Sequence, residues 1–275
     1  MNKLLQKFYN IIYCLYKALV DTIYDGGLEH AGYLSFLILL SIFPFLIVLM
    51  ALASMFANLL DQYNIGWLFI IDNIPQDILA SLMPRIKEII SGPPQNMLTL
   101  AILGAVWTAS STIEGLRSIL NKAYRVSVSP PYIMGRILSI LQFLVITFLI
   151  TLTIVCSTLI PMLINFSYYS FTYAKYFFVE FVLFTVISWL YFMLPNIKQN
   201  LVDVFPGSLI SVFLLTISAS TFKQYLKISF YQLNLIYGSL GGMIVSLLFF
   251  YMVSLIFIYG AKFNFHLKYS KNFVK

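Results

Sequence analysis

Charge is the scarcest property of these 275 residues: Asp, Glu, Lys and Arg together make up 10%, where a soluble domain carries about 25%. A soluble globule needs a polar coat, so this scarcity excludes an ordinary soluble enzyme. The 60% apolar content equally excludes a disordered chain. Cysteine is nearly absent. Cys14 and Cys156 have no Cys or His beside them, which excludes a disulfide scaffold and a zinc site. Histidine is as rare, and His30 and His266 stand at opposite ends of the chain. Neither has the clustered carboxylates that metal-assisted phosphodiester hydrolysis uses. No glycine-rich loop ends in Lys-Ser/Thr, so the chain has no nucleotide-driven motor of its own. No catalytic residue, metal or cofactor is expected, and the protein is not expected to be an enzyme.

What remains is long apolar runs. A helix needs about 20 apolar residues to cross the hydrocarbon layer. Six segments read as such spans: about 33–57, 97–113, 137–164, 176–194, 204–222 and 239–261. A membrane β-barrel would show alternation in pieces of about ten residues, whereas these runs are apolar on every side. The expected fold is therefore all-α, a polytopic membrane protein with six transmembrane helices in one membrane domain over 1–275. An even number of spans puts both termini on one side. Most of the 17 Lys and Arg then share that side, in the N-terminal arm, the loops after the second and fourth spans, and a basic tail over 262–275. The positive-inside rule makes it the cytoplasm. The net charge of +7 suits anionic headgroups, and because the bases are scattered along membrane edges, nucleic acid is not an expected partner.

Residues 1–27 read as a cytoplasmic arm. Leu4, Phe8, Ile11, Leu15, Leu19 and Ile23 recur at steps of three and four, with Lys3, Lys7, Asn10, Lys17 and Asp21 opposite. Such a helix lies in the headgroup plane, and Lys17 breaks the run that a signal peptide would need. Gly26-Gly27 turns the chain into the first span. The stretch 58–96 is the longest outer loop, with an amphipathic portion ended by Pro93-Pro94.

Charge at membrane depth needs a partner or a cavity. Glu180 is therefore a candidate ion or proton site, against the plainer reading of an acid at the interface near Lys175. Glu114 and Arg117 can pair on one helix face. Pro44, in the middle of the first span, deprives Leu40 of its usual donor, and Ser35 and Ser41 lie close to that break. Trp107, Ser110 and Ser111 give the second span a small polar face. Gly238 and Gly242 are four apart in Tyr237-Gly238-Ser239-Leu240-Gly241-Gly242, which permits close helix contact or a flexible entry to the last span.

Several blocks carry a resemblance: Ala31-Gly32-Tyr33-Leu34-Ser35, Phe43-Pro44, Trp107-Thr108-Ala109-Ser110, Leu194-Pro195-Asn196, Phe205-Pro206-Gly207, Tyr237-Gly238-Ser239-Leu240-Gly241 and Gly260-Ala261-Lys262-Phe263-Asn264. In this order the chain resembles the YihY/BrkB family of bacterial inner-membrane proteins over nearly its whole length. Two positions depart from that pattern: the family usually has an acid where Lys262 stands, and a tryptophan near Phe250. The resemblance implies a bacterial inner-membrane location and an unsettled biochemistry. Members are associated with serum resistance, with movement of lipid or lipopolysaccharide precursors, and with an old transfer-RNA-processing ribonuclease label. Read together, residues and resemblance point to a transporter of lipid or another amphiphile. Its path would draw on Ser41, Pro44, Trp107, Ser110, Pro206, Gly207, Tyr237, Gly238 and Gly241, a seam through spans one, two and six. The alternatives are a non-catalytic envelope scaffold and, least supported, the ribonuclease. Expected partners are membrane lipids, with envelope proteins and further copies of the chain left open.

Overall fold

The computed structural model describes residues 3–61, 95–126, 131–163, 168–237 and 240–273. These residues form α1 (Lys3–Tyr24), α2 (Gly27–Asp61), α3 (Gln95–Ala123), α4 (Tyr132–Leu163), α5 (Tyr168–Met193), α6 (Leu201–Tyr237) and α7 (Leu240–Phe273), with no strand among them. Four helices hold a stretch long and apolar enough to cross a bilayer: Gly27–Leu46, Tyr132–Thr153, Leu201–Ile228 and Leu240–Tyr269. They coincide with four of the six expected spans. The expected spans 97–113 and 176–194 fall on α3 and α5, in which no stretch is both long and apolar enough among the described residues; Val179–Met193 is the shorter apolar part of α5. Of the expected outer loop, 58–61 is the end of α2, and 62–94 lies outside the described residues.

Two boundaries and one packing face differ from expectation. The helix α6 continues through Lys223 and Lys227 to Tyr237, because no proline or glycine interrupts it after Gly207. At 1.5 Å per residue its 37 residues span about 55 Å, well beyond the roughly 30 Å hydrocarbon layer. Likewise α7 runs to Phe273, so most of the expected basic tail is helix, with Lys262, Asn264 and His266 buried. The third difference is the docking face of α1. Its buried residues are Cys14, Ala18 and Thr22, with Asp21 half-buried beside them. The larger Ile11, Leu19 and Ile23 are exposed together with Ile12 and Tyr16. Small side chains let α1 lie close along α7, and the apolar stripe is left for lipid.

Two turns show why particular residues stand where they do. Gly26 has a φ of +70°, the left-handed end of α1, and a Cβ on Gly27 would sit 2.3 Å from the Thr22 carbonyl. Helix α3 ends in a Schellman turn, with Val126 N donating to Asn121 O (2.8 Å) and Arg125 N to Lys122 O (3.0 Å). Its left-handed residue is Arg125, φ 55°, rather than glycine. The guanidinium offsets that cost by pairing with Asp21 (3.2 Å) and lying 5.2 Å from the Phe265 ring centre.

The described contacts group the chain into two compact units. One comprises Met1–Leu39, Thr112–Gly135 and Leu183–Lys275; the other comprises Leu40–Ser111 and Arg136–Val182. The core of the first is Ala31, Leu34, Ile119 and Ile258, closed by Leu116, Tyr251 and Leu255. A second cluster, Cys14, Ala18 and Phe263, holds α1.

Candidate functional site

In the second unit, α4 is built opposite to a helix of a soluble protein. Its exposed positions are Ile137, Leu141, Leu144, Val145, Phe148, Leu149 and Leu152; its buried ones include Arg136, Ser139, Gln142, Thr147 and Thr151. Steps of three to five residues place the polar set on one face. Thr147 and Thr151 spend their hydroxyls on the carbonyls of Phe143 (2.9 Å) and Thr147 (2.8 Å), the usual settlement in an apolar helix. Arg136 is different: its chemistry is directed at α3. The guanidinium lies 4.3 Å from the centre of the Trp107 ring and donates to Trp107 O and, at 3.0 Å, to Ser111 Oγ. Ser110, fully buried, also donates to Trp107 O (2.8 Å). A cation, an indole and two hydroxyls thus meet at the head of a polar stripe inside a unit that presents apolar side chains outward.

In the first unit the polar groups tie helices together. Tyr191 Oη donates to Phe257 O (2.6 Å) and shares a hydrogen bond with Ser211 Oγ (2.8 Å). This knot is possible because Gly207 and Gly260 bring α6 and α7 together. A Cβ on Gly207 would fall 2.3 Å from Gly260 O, and one on Gly260 would fall 2.0 Å from Ser211 Oγ. Asn264 staples the start of α6, accepting from Gly207 N (2.6 Å) and donating to Val204 O (3.0 Å). Nearby, Ser188 Oγ and Ser254 Oγ are buried without a hydrogen-bond partner among the described residues.

An ionic cluster closes α1 onto α7 and the end of α3. Asp21 Oδ2 accepts from His266 Nε2 (2.8 Å) and from Arg125 Nη2 (3.2 Å). Lys262 donates to Asp21 O and pairs with Asp25 Oδ2 at 3.1 Å. Asp21 was expected on the solvent face of α1 and instead forms the centre of this lock. Lys262, in the position usually acidic in the family, finds its counter-charges on the N-terminal arm. Further along α3, Arg117 donates to Gly135 O (2.8 Å); burial pushes its guanidinium down from the ordinary value, and Glu114 opposes that shift.

The residues singled out in the sequence divide between the units. Ser41 (buried), Pro44 (half-buried, within an unbroken α2), Trp107 and Ser110 belong to the second unit. Pro206, Gly207 and Gly241 belong to the first, where Pro206-Gly207 serves helix packing. Tyr237 ends α6, and Gly238 lies outside the described residues. The close contact expected from Gly238 and Gly242 is not found at Gly242, where a Cβ would meet nothing within 4 Å. Glu180 is exposed. Sequence reasoning missed Arg136, counted there only as a loop charge, together with Ser139, Gln142 and Asn264. Gln142 carried the available signal, as the one large polar side chain in the run 137–164. Among the described residues no three His, Cys, Asp or Glu gather as a metal site.

No solved structure matches the chain. A curated relative from Bacillus subtilis (strain 168), named putative ribonuclease-like protein YfkH, is 28% identical over 261 residues, covering 88% of this chain and 90% of the relative. The family model for virulence factor BrkB matches residues 21–274. A match of that extent, on an all-helical chain with apolar helices long enough to cross a membrane, shows that the protein belongs to the virulence factor BrkB family of membrane proteins.

Proposed function

We propose that the protein moves a lipid or another amphiphile across the bilayer, without hydrolysing nucleotide, along the polar face of α4. The observation that carries this reading is the inverted α4: Arg136, Ser139 and Gln142 buried, with Ile137, Leu141 and Val145 exposed. A polar headgroup needs hydrogen-bonding partners to replace water while it crosses, and its tails need none. The stripe offers the first and the apolar outer face the second. Arg136, steadied by Trp107 and Ser111, is the group we assign to the phosphate or other anionic part of the headgroup. Trp107 and Ser110 frame it, and Ser41 and Pro44 lie in the same unit.

The same reading places the chain in the bacterial inner membrane with both termini in the cytoplasm. The support is the side on which Lys and Arg concentrate. It also holds that the protein is not a ribonuclease: His30 and His266 lack the carboxylate spacing of a metal-dependent nuclease. The ribonuclease-like name of the Bacillus relative describes that protein.

The test is reconstitution into vesicles of phosphatidylglycerol and phosphatidylethanolamine bearing a headgroup-labelled lipid in both leaflets. Membrane-impermeant reductant bleaches the outer half at once, and further bleaching reports translocation. The wild-type chain is expected to expose the inner half. Arg136→Gln is expected to slow the rate by about tenfold or more, the scale of losing one charge-assisted contact, and Lys227→Gln to leave it unchanged. A wild-type rate equal to protein-free vesicles would refute the proposal.

A further inference from the structure

Where α5 ends and α6 begins, the first unit holds a concavity of about 480 Å³ whose lining includes Met193, Ile197, Lys198, Asn200, Asp203 and Lys268. Its floor is fixed rather than loose. Gln199 Nε2 donates to Tyr191 O (2.5 Å), capping the last turn of α5. Asp203 N donates to Asn200 O (3.0 Å), and Lys268 Nζ reaches across from α7 to Lys198 O (3.3 Å). Lys198 and Lys268, from separate elements, thus both line one hollow. The first turn of α6, with the positive end of the helix dipole, lies at its rim too.

One wall is apolar, and it continues onto surface of the same kind: Met193, Leu201, Val202 and Phe205 are all exposed. Leu201 is also the first residue of a membrane-crossing stretch. The hollow therefore opens at the level where a span starts, basic on one side and oily on the other. Asp203 keeps it from being purely cationic. A bare anion is opposed by that carboxylate. A headgroup that carries both a phosphate and an O–H or N–H donor satisfies the lysines and the acid together.

We infer that this hollow is a phosphate site for a phospholipid headgroup, one bearing a hydroxyl or ammonium donor, whose acyl chains run along Leu201 and Val202. Lys198 and Lys268 hold the phosphate, and Asp203 accepts from the headgroup donor. The inference needs the protein only to sit in a membrane. It does not rest on the transport reading, because binding is measured here without translocation.

The test uses the purified full-length chain in a neutral detergent, titrated with dioctanoyl phosphatidylglycerol and read by native mass spectrometry. The wild type is expected to bind it saturably. Lys198→Gln with Lys268→Gln is expected to weaken binding by about tenfold or more, as losing two charge-assisted contacts implies. Lys198→Arg with Lys268→Arg is expected to keep binding, and Lys223→Gln with Lys227→Gln, at the other end of α6, to leave it unchanged. Dioctanoyl phosphatidylcholine, with the same phosphate but no donor, is expected to bind clearly more weakly. Inorganic phosphate separates the two sources of this chemistry: binding as tight as that of the lipid would make the ligand a free phosphate and overturn the lipid assignment. Unchanged lipid binding by the double Gln variant would overturn the site itself. Should that variant lose helicity, the wild type decides, since equal affinity for the two lipids removes the role given to Asp203 and with it the proposed headgroup.

Discussion

Lys262 concentrates the residue-scale physics of this protein. Its side chain is 6% exposed, whereas that of its partner Asp25 is 51% exposed, so the pair joins a buried cation to a carboxylate still in contact with water. Water screens the Asp25 side, and Lys262 depends as much on the Asp21 carbonyl as on the ion pair. The consequence is an asymmetric response to substitution. Lys262→Met removes a desolvated charge and keeps the apolar stem, so stability should change by no more than about 1 kcal/mol. Lys262→Glu buries a carboxylate against Asp25 and a backbone carbonyl and should cost about 3–5 kcal/mol. Thermal unfolding of the purified chain in detergent checks both, and a second change, Asp25→Lys, should recover part of the Glu variant's loss. Lys262 was visible in the sequence as a departure from the family pattern, but its partners were not. Asp25 and Asp21 lie 237 and 241 residues away, and nothing local announces that the N-terminal arm folds back on the last helix.

At the scale of elements, the apolar runs were legible because a helix in lipid is apolar on nearly every side, a pattern that needs no periodicity to detect. The ends were not. Helices α6 and α7 continue past the apolar run into polar sequence, where length and composition stop discriminating. The helix contact was misplaced for a related reason. The small-residue spacing at Gly238 and Gly242 is a local cue, whereas the crossing found joins Gly207 to Gly260, on different helices. Without a hydrophobic drive between helices in lipid, such close approach is what holds them. Gly207→Ala and Gly260→Ala should each lower stability by about 1–3 kcal/mol, as overpacking of a tight contact does. Gly104→Ala and Gly242→Ala meet open space and should be neutral or gain up to about 1 kcal/mol from helix propensity. Unfolding midpoints of the four variants in one detergent would show the two groups apart. A uniform response would mean that the crossing is not where the backbone is tightest.

For the whole molecule, scarcity of charge identified the solvent, and the few charges that remain identify where the structure is specific. Asp21, Asp25, Arg125 and Lys262 gather with His266 where α1, α3 and α7 meet, where they lock the arm, and Arg136 heads the stripe of α4. That residue escaped sequence reading because Pro130-Pro131 marks a boundary just before it, and a charge after a boundary reads as loop. The structure begins α4 at Tyr132, which puts Arg136 inside the helix. The proposed function turns on whether the buried face of α4 is a polar path or a dry seam. With Cys14 and Cys156 replaced by serine, single cysteines at 139 and 142 on that face and at 141 and 145 on the apolar face can be probed in native membranes. The account predicts that a charged, membrane-impermeant thiol reagent modifies Cys at 139 and 142 and spares 141 and 145, which react only with a lipid-soluble maleimide. Protection of 139 and 142 from the charged reagent, equal to that of 141 and 145, would contradict it.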